Sequence, residues 1–156
     1  MTEKSERYNL LVQQVQSLLT GEADLVANMA NLVSLVFHEL PDLNGTTYYR
    51  LIKGELVLGP FQGKPACMHI PIGRGVCGTV AVTQKPEVVP DVDQFIGHIA
   101  CDSASRSEVV VPVFRHGSFW GVLDLDSPKL NTFDEVDAEY LSLIAGIIFP
   151  ENQKES

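Results

Sequence analysis

The sequence predicts an α+β domain, a mainly antiparallel sheet with helices packed on it. Two observations carry that prediction. Apolar residues recur at helical spacing at both ends of the chain. Between them, strand-like runs flank short glycine-containing turns at Lys53-Gly54 and His116-Gly117, the signature of hairpins. Bulk composition agrees: 156 residues, 45% hydrophobic and 20% charged, is globular and excludes disorder. One domain over 1–156 is expected, with helices in 1–40 and a short charged tail in 150–156. A chain of this size buries roughly 68–70% of the surface that its unfolded form exposes. It contains no internal repeat and no low-complexity tract.

The elements follow in order. Leu11, Val15, Leu18 and Leu19 share a helical face, and Thr20-Gly21 supplies the stop. Leu25, Met29, Leu32, Val33, Val36 and Phe37 repeat the pattern. This second helix ends near Leu40, because Pro41 disfavours helix in the residue before it. Met29 and Phe37 read as core filling and His38 as half-exposed. Residues 46–52 and 55–58 form a hairpin, and 59–65 is a breaker-rich loop leading to Cys67. Residues 69–72 make a short strand, Val80, Ala81 and Val82 a short helix, and 88–90 a short edge strand. Residues 108–115 and 119–125 are the arms of a second hairpin, with Pro112 marking an edge or an irregularity. Thr132-Phe133-Asp134-Glu135 has the form of a capping box. It opens a last helix with Val136, Tyr140, Leu143, Ile144 and Ile147 inward.

Charge narrows the function classes. A net charge of −9 opposes binding to nucleic acid or to anionic membranes, so neither is expected as a partner. The first residues lack the apolar region of a signal peptide. The longest apolar run near the end, 141–149, is far short of the roughly 18 residues of a membrane span. A cytoplasmic protein is expected. Three cysteines are an odd count, which argues against a secreted disulfide framework.

Chemistry concentrates in residues 95–108, an irregular segment with a cysteine, a histidine, an arginine and two carboxylates. Loops on a rigid scaffold can converge donors from several directions. Gly73-Arg74-Gly75-Val76-Cys77-Gly78 matches G-x-G-x-x-G literally. A dinucleotide fingerprint needs a βαβ unit around it, whereas the hairpins here imply antiparallel pairing. Glycines admitting close backbone packing at a turn are the better reading. Cys67, Cys77, Cys101 and His98 offer four zinc ligands, but without the clustered spacing of a zinc site. A serine hydrolase lacks its G-x-S-x-G elbow. Thiol redox chemistry fits better: Cys101 has His98 and Arg106 nearby in sequence to favour its thiolate. A second cysteine on another loop then resolves a sulfenic acid as a disulfide. Asp124 and Asp126 fall on one face of a strand, an arrangement that calls for a cationic partner.

Gly59-Pro60-Phe61-Gln62-Gly63-Lys64-Pro65-Ala66-Cys67, the run from Gly73 to Thr79, Val89-Pro90-Asp91-Val92, the run from Gly97 to Glu108 and Gly121-Val122-Leu123-Asp124-Leu125-Asp126-Ser127 closely resemble the free methionine-(R)-sulfoxide reductases. These are single-domain enzymes of the GAF fold, and the likeness extends over nearly the whole chain. The resemblance implies reduction of the R epimer of free methionine sulfoxide. It makes Cys101 the attacking thiolate and Cys67 the resolving partner, with the disulfide reduced by thioredoxin. Cys77 matches a cysteine of secondary importance, an alternative partner. Glu108, Asp124 and Asp126 match the acids around the substrate's amino group, and Tyr49, Ile99 and Ala100 match pocket residues. No cofactor and no metal is implied.

Physical logic agrees, since a free amino acid is recognised by its two charges. Acids suit the ammonium through charge-assisted hydrogen bonds, and backbone N–H groups of the loop before Cys101 suit the carboxylate. One of the acids, kept protonated by its neighbours' charge, delivers a proton to the sulfoxide oxygen. The family's tryptophan beside the asparagine of the first strand is replaced by Gly45, next to Asn44. A homodimer through the amphipathic N-terminal helix is expected. The competing expectation is a GAF-type module that senses an amino-acid-like ligand without turnover.

Overall fold

Six strands and four helices build a computed structural model that describes residues 1–154. The strands are β1 (Gly45–Ile52), β2 (Glu55–Gly63), β3 (His69–Pro71), β4 (Glu87–Val89), β5 (Ser107–Arg115) and β6 (Ser118–Ser127). They form one sheet of order β3-β2-β1-β6-β5-β4, antiparallel at every pairing. The helices are α1 (Glu3–Leu19), α2 (Leu25–Glu39), α3 (Gly75–Thr83) and α4 (Glu135–Ala145). The α+β class and the mainly antiparallel sheet expected from the sequence are what the chain adopts. The tail expected over 150–156 begins with a 3₁₀ turn, Pro150–Asn152, and its residues 155–156 lie outside the described residues.

Side chains alternate along each strand, so the sheet has two different faces. Tyr48, Val109, Val111, Val113, Leu123 and Leu125 point to α1, α2 and α4, and with them make the larger core. The Tyr48 hydroxyl is buried there and donates to the Ala145 carbonyl at 2.9 Å. Asp137 of α4 ties in α1, accepting from the Tyr8 hydroxyl at 2.6 Å and from Lys4 Nζ at 2.7 Å. On the opposite face Tyr49, Val110 and Val122 pack against Val76, Cys77 and Val80 of α3. Polar residues share this second face. At both hairpin turns two successive residues have positive φ, Lys53-Gly54 (50° and 80°) and His116-Gly117 (51° and 77°). That backbone matches the right-handed twist of the flanking strands. No helix among the described residues is long and apolar enough to cross a membrane.

Several expectations need correction. The run 59–63 is not a loop but the second half of β2. A bulge between Thr47 and Tyr49 absorbs Gly59 and Pro60, where a missing N–H breaks no ladder. Pro112 does lie where β5 has a neighbour on one side only, because β4 reaches no further than Val110. The last helix is capped two residues later than expected. Asp134 accepts from the Val136 and Asp137 N–H groups, and Asp137 returns the bond to the Asp134 N–H. Thr132 pairs with the Ser127 hydroxyl instead. The inward stripe of α4 is Ala138, Leu141, Ile144 and Ala145. Leu143, two residues or about 200° from Leu141, is 59% exposed. Val136 and Tyr140 are half-buried at the rim, with Tyr140 stacked on Tyr8 at 5.1 Å. Phe37 is half-buried, and Leu18 and His38 are exposed.

The glycine run opens α3 directly, five residues before the helix expected at Val80. Its chemistry is packing. A Cβ on Gly78 would stand 2.6 Å from the Pro71 carbonyl oxygen and 3.0 Å from Gly73 N, closer than atoms allow. Gly78→Ala therefore pushes α3 off β3 and lowers stability by about 1–3 kcal/mol. An unchanged urea midpoint would reject this packing role.

Candidate active site

The polar part of the second face is set by strand register. Glu108 on β5 stands directly opposite Asp126 on β6, and Asp124 stands two residues along on the same face. Across β6 the same residues meet Thr47 and Gly45 of β1. The three carboxyls thus converge on one cavity of about 60 Å³, whose wall includes Tyr49, Cys77, His98, Ile99 and Cys101. Glu108 and Asp124 are 5% and 7% exposed, so little water reaches the cluster. Like charges at this spacing cannot all persist. Burial, then the charges of Asp124 and Asp126, push the Glu108 carboxyl well above the usual range. Burial and then Asp124 do the same to Asp126. Asp124 is also raised by burial, while hydrogen bonds from Glu108, Cys77 and Asp126 pull it back.

Above this floor lies sulfur. Cys67 and Cys101, 34 residues apart in sequence, are joined in a disulfide with Cα atoms 5.4 Å apart, an unremarkable span. Cys67 follows β2, where its carbonyl accepts from the Tyr49 hydroxyl at 3.0 Å. Cys101 sits in the segment between β4 and β5, which contains a 3₁₀ turn, Val92–Gln94. Asn44, just before β1, holds this segment: its Nδ2 donates to Asp102 Oδ2 and to Ser105 Oγ, each at 3.0 Å. The Ala104 N–H and Asn44 keep the Asp102 carboxyl below the usual range. Further along, the Arg106 N–H donates to the Ser127 carbonyl at 2.7 Å. Ile99 packs over Gly75, where a Cβ would come within 3.2 Å of it. Cys77 approaches from α3; it is buried and free, and burial followed by the Asp124 charge pushes its thiol well up. His98 Nε2 lies 3.8 Å from Glu108 Oε1.

The fold therefore brings together Cys101, Cys67, Cys77, Glu108, Asp124, Asp126, Tyr49 and Ile99. Two expected neighbours stand apart. The Ala100 side chain is exposed and outside the cavity wall. Arg106, expected beside the thiolate, is exposed and also outside it, because the chain has already turned into β5. The four-ligand zinc set is broken up, since two of its cysteines are bonded to each other. The sequence reading missed Asn44 and the two cations of the wall, Lys64 and Arg74. Arg74 carried a signal: a cation inside a glycine run that faces a strand with two carboxylates.

Comparison with known proteins fits this geometry. A profile of the GAF domain matches residues 6–148. Protein YtsP of Bacillus subtilis is 49% identical over 145 residues, 92% of this chain and 89% of that protein. The free methionine-R-sulfoxide reductase of Escherichia coli is 44% identical over 138 residues, 88% of this chain and 84% of that one. This chain belongs to the GAF family of free methionine-R-sulfoxide reductases. A free methionine-R-sulfoxide reductase from Neisseria meningitidis, solved in complex with its substrate, superposes with a TM-score of 0.91. It is 42% identical and covers 97% of this chain and 91% of its own. Gly45 lines the cavity without a side chain of its own in this reductase-family fold. A Cβ there would meet Asp126 Oδ2 at 3.5 Å, an ordinary contact, so glycine leaves that wall of the cavity unfilled.

The acids of this reductase-family fold have a pH signature. Glu108 and Asp126 titrate above their ordinary values of 4.5 and 3.8 when folded. Each contributes stability that is complete below the ordinary value and is lost as pH rises through the folded one. Thermal unfolding should show the melting temperature falling from mildly acidic to alkaline pH. Glu108→Gln flattens that slope and, at alkaline pH, stabilises by roughly 0.2–1 kcal/mol, the range for cross-strand pairs. A steeper slope in the variant would contradict the upward shift of Glu108.

Proposed function

We propose that the protein reduces free L-methionine (R)-S-oxide to methionine, with Cys101 taking the sulfoxide oxygen. The observation that carries this is the Cys67–Cys101 disulfide standing over an acid-floored cavity. The substrate's ammonium binds the carboxyls of Glu108, Asp124 and Asp126. Its carboxylate takes the N–H groups of Ile99 and Ala100, which donate to no other group among the described residues. Lys64 and Arg74 in the wall add positive charge on that side. Tyr49 supports the site through Cys67, and Ile99 closes it against Gly75.

The chemistry balances in two steps. The Cys101 thiol and the sulfoxide give Cys101 sulfenic acid and the free thioether. The oxygen moves from one sulfur to the other, and sulfoxide reduction is matched by thiol oxidation. Three carboxyls facing one ammonium retain a proton; it goes to the sulfoxide oxygen as the sulfur of Cys101 attacks, and the proton lost by the Cys101 thiol restores the carboxyl. The Cys67 thiol then attacks the sulfenic sulfur, expels water and closes the disulfide. Thioredoxin's dithiol reopens it by exchange, which suits a reducing cytoplasm. Cys77 lines the same cavity as Cys101 and serves as an alternative partner. Exposed Leu10 and Leu18 on α1 support a homodimer through that helix.

Mixed with dithiothreitol and racemic free methionine sulfoxide, the protein should consume one epimer only. Cys101→Ser lowers that turnover by at least about a thousandfold. If neither epimer is lost, the reductase reading fails; retained ligand affinity without turnover in the wild type would favour a sensor. Asp126→Asn should raise KM for the free amino acid by roughly 10–100-fold, the worth of a charge-assisted hydrogen bond. A methionine sulfoxide acylated on nitrogen should not be turned over; equal rates with it would remove the acids from substrate recognition.

A further inference from the structure

With Cys67 and Cys101 bonded to each other Cys77 stays a free thiol, and its surroundings are unusual for a core cysteine. Its Sγ, a carboxylate oxygen of Glu108 and one of Asp124 all lie within 4.8 Å of one another, and all three residues are buried. Asp124 lines the cavity and is 7% exposed, yet its Oδ1 is closed off from solvent, and no backbone, amide, hydroxyl or cationic donor reaches it; the protons at hand are those of the neighbouring acids and thiol. A buried carboxylate oxygen without a partner is costly, and it marks a place where a cation is missing. An ammonium would serve that oxygen. It would not engage the sulfur beside it.

We propose that Cys77, Glu108 and Asp124 bind a thiophilic divalent cation, Zn²⁺ or Cd²⁺, on the floor of the cavity, where it excludes an amino-acid ammonium. One sulfur with two carboxylate oxygens is a borderline-soft donor set, which suits Zn²⁺ and Cd²⁺ and disfavours Mg²⁺ and Ca²⁺. Zinc needs its donors at about 2.3 Å for sulfur and about 2.0–2.2 Å for oxygen. Three donors already within 4.8 Å of one another close on such an ion by small side-chain rotations. His98 Nε2 lies 3.8 Å from Glu108 Oε1 but outside this close set of donors, which leaves the fourth position to water. Coordination takes Cys77 as thiolate and releases its proton to solvent, so binding strengthens as pH rises. This set differs from the four-ligand zinc set weighed from the sequence: it uses neither Cys67 nor Cys101, and the cation is a competitor rather than a resident. The competition with substrate rests on the reductase reading above; the cation site itself does not.

The test is a Cd²⁺ titration of the oxidised protein. With Cys67 and Cys101 bonded, Cys77 is the one free thiol. One equivalent of Cd²⁺ should produce the ultraviolet thiolate-to-metal band. Zn²⁺ should displace it and Mg²⁺ should not. Cys77→Ser should abolish the band, and Glu108→Gln and Asp124→Asn should each weaken calorimetric Cd²⁺ binding at least tenfold, with thermal unfolding as the check that each variant folds. Absence of the band, or a band that both carboxylate variants leave unchanged, would overturn the site. Competition is read in Cys67→Ser/Cys101→Ser, where Cys77 is again the lone thiol and no disulfide closes the cavity. There, free methionine should lower the apparent Cd²⁺ affinity in proportion to its concentration, and indifference to methionine would overturn the shared position. Epimer consumption without added metal reports on the reductase reading separately.

Discussion

The register between β5 and β6 is the constraint on which the rest depends. It sets Glu108 opposite Asp126 and leaves Asp124 on the same face, so three acids share one buried spot. A slip of β6 by one residue would send Asp124 and Asp126 to the face packed by α1, α2 and α4 and part them from Glu108. There they would meet Leu11, Val36 and Ile144 with no water and no cation. The His116-Gly117 turn, with both residues in the left-handed region, holds that register from one end. At the other end the Arg106 N–H to Ser127 carbonyl bond closes it. A site built on paired strands is more rigid than one built on loops, which matters for acids whose protonation depends on their separation.

Sulfur is delivered differently. Both bonded cysteines come from irregular segments, one after β2 and one before β5, and side-chain bonds do the positioning. Asn44 grips the segment after Cys101 at Asp102 and Ser105, and Tyr49 grips the one at Cys67. The acid floor is thus fixed by backbone ladders and the sulfur wall by a few polar contacts. Such a division suits a reaction in which the sulfurs must part and rejoin while the recognition surface stays still.

Much of this was legible in the sequence, and the gaps have physical causes. Hairpins were plain because Lys53-Gly54 and His116-Gly117 combine turn chemistry with flanking strands. The second half of β2 was hidden because Gly59 and Pro60 read as breakers, and only the bulge opposite Tyr48 makes them tolerable. The cap of α4 was misplaced because Thr132 and Asp134 both suit the role; a carboxylate reaching two N–H groups wins at a helix N-terminus. Asp124 and Asp126 were legible as a pair from alternation alone, whereas Glu108 was grouped with them by the family resemblance only, since strand pairing is not encoded in local sequence. Nearness in sequence misled for Arg106, since a single residue later the chain enters a strand and the side chain is left outside. Asn44 stood out in the sequence only as the neighbour of Gly45, and nothing there indicated its grip on Asp102 and Ser105.

The bonded cysteines lie at opposite wings of the sheet in chain order, and the segment they enclose holds β3, α3 and β4. Closing a loop of 34 residues removes chain freedom worth roughly 3–4 kcal/mol from the unfolded ensemble. On the proposed cycle, the enzyme therefore alternates between a clasped form and a looser one, and the looser form is the one that meets substrate. α3 belongs to the clasped segment, so the thiol beneath the pocket rides on the part of the molecule whose stability changes with every turnover.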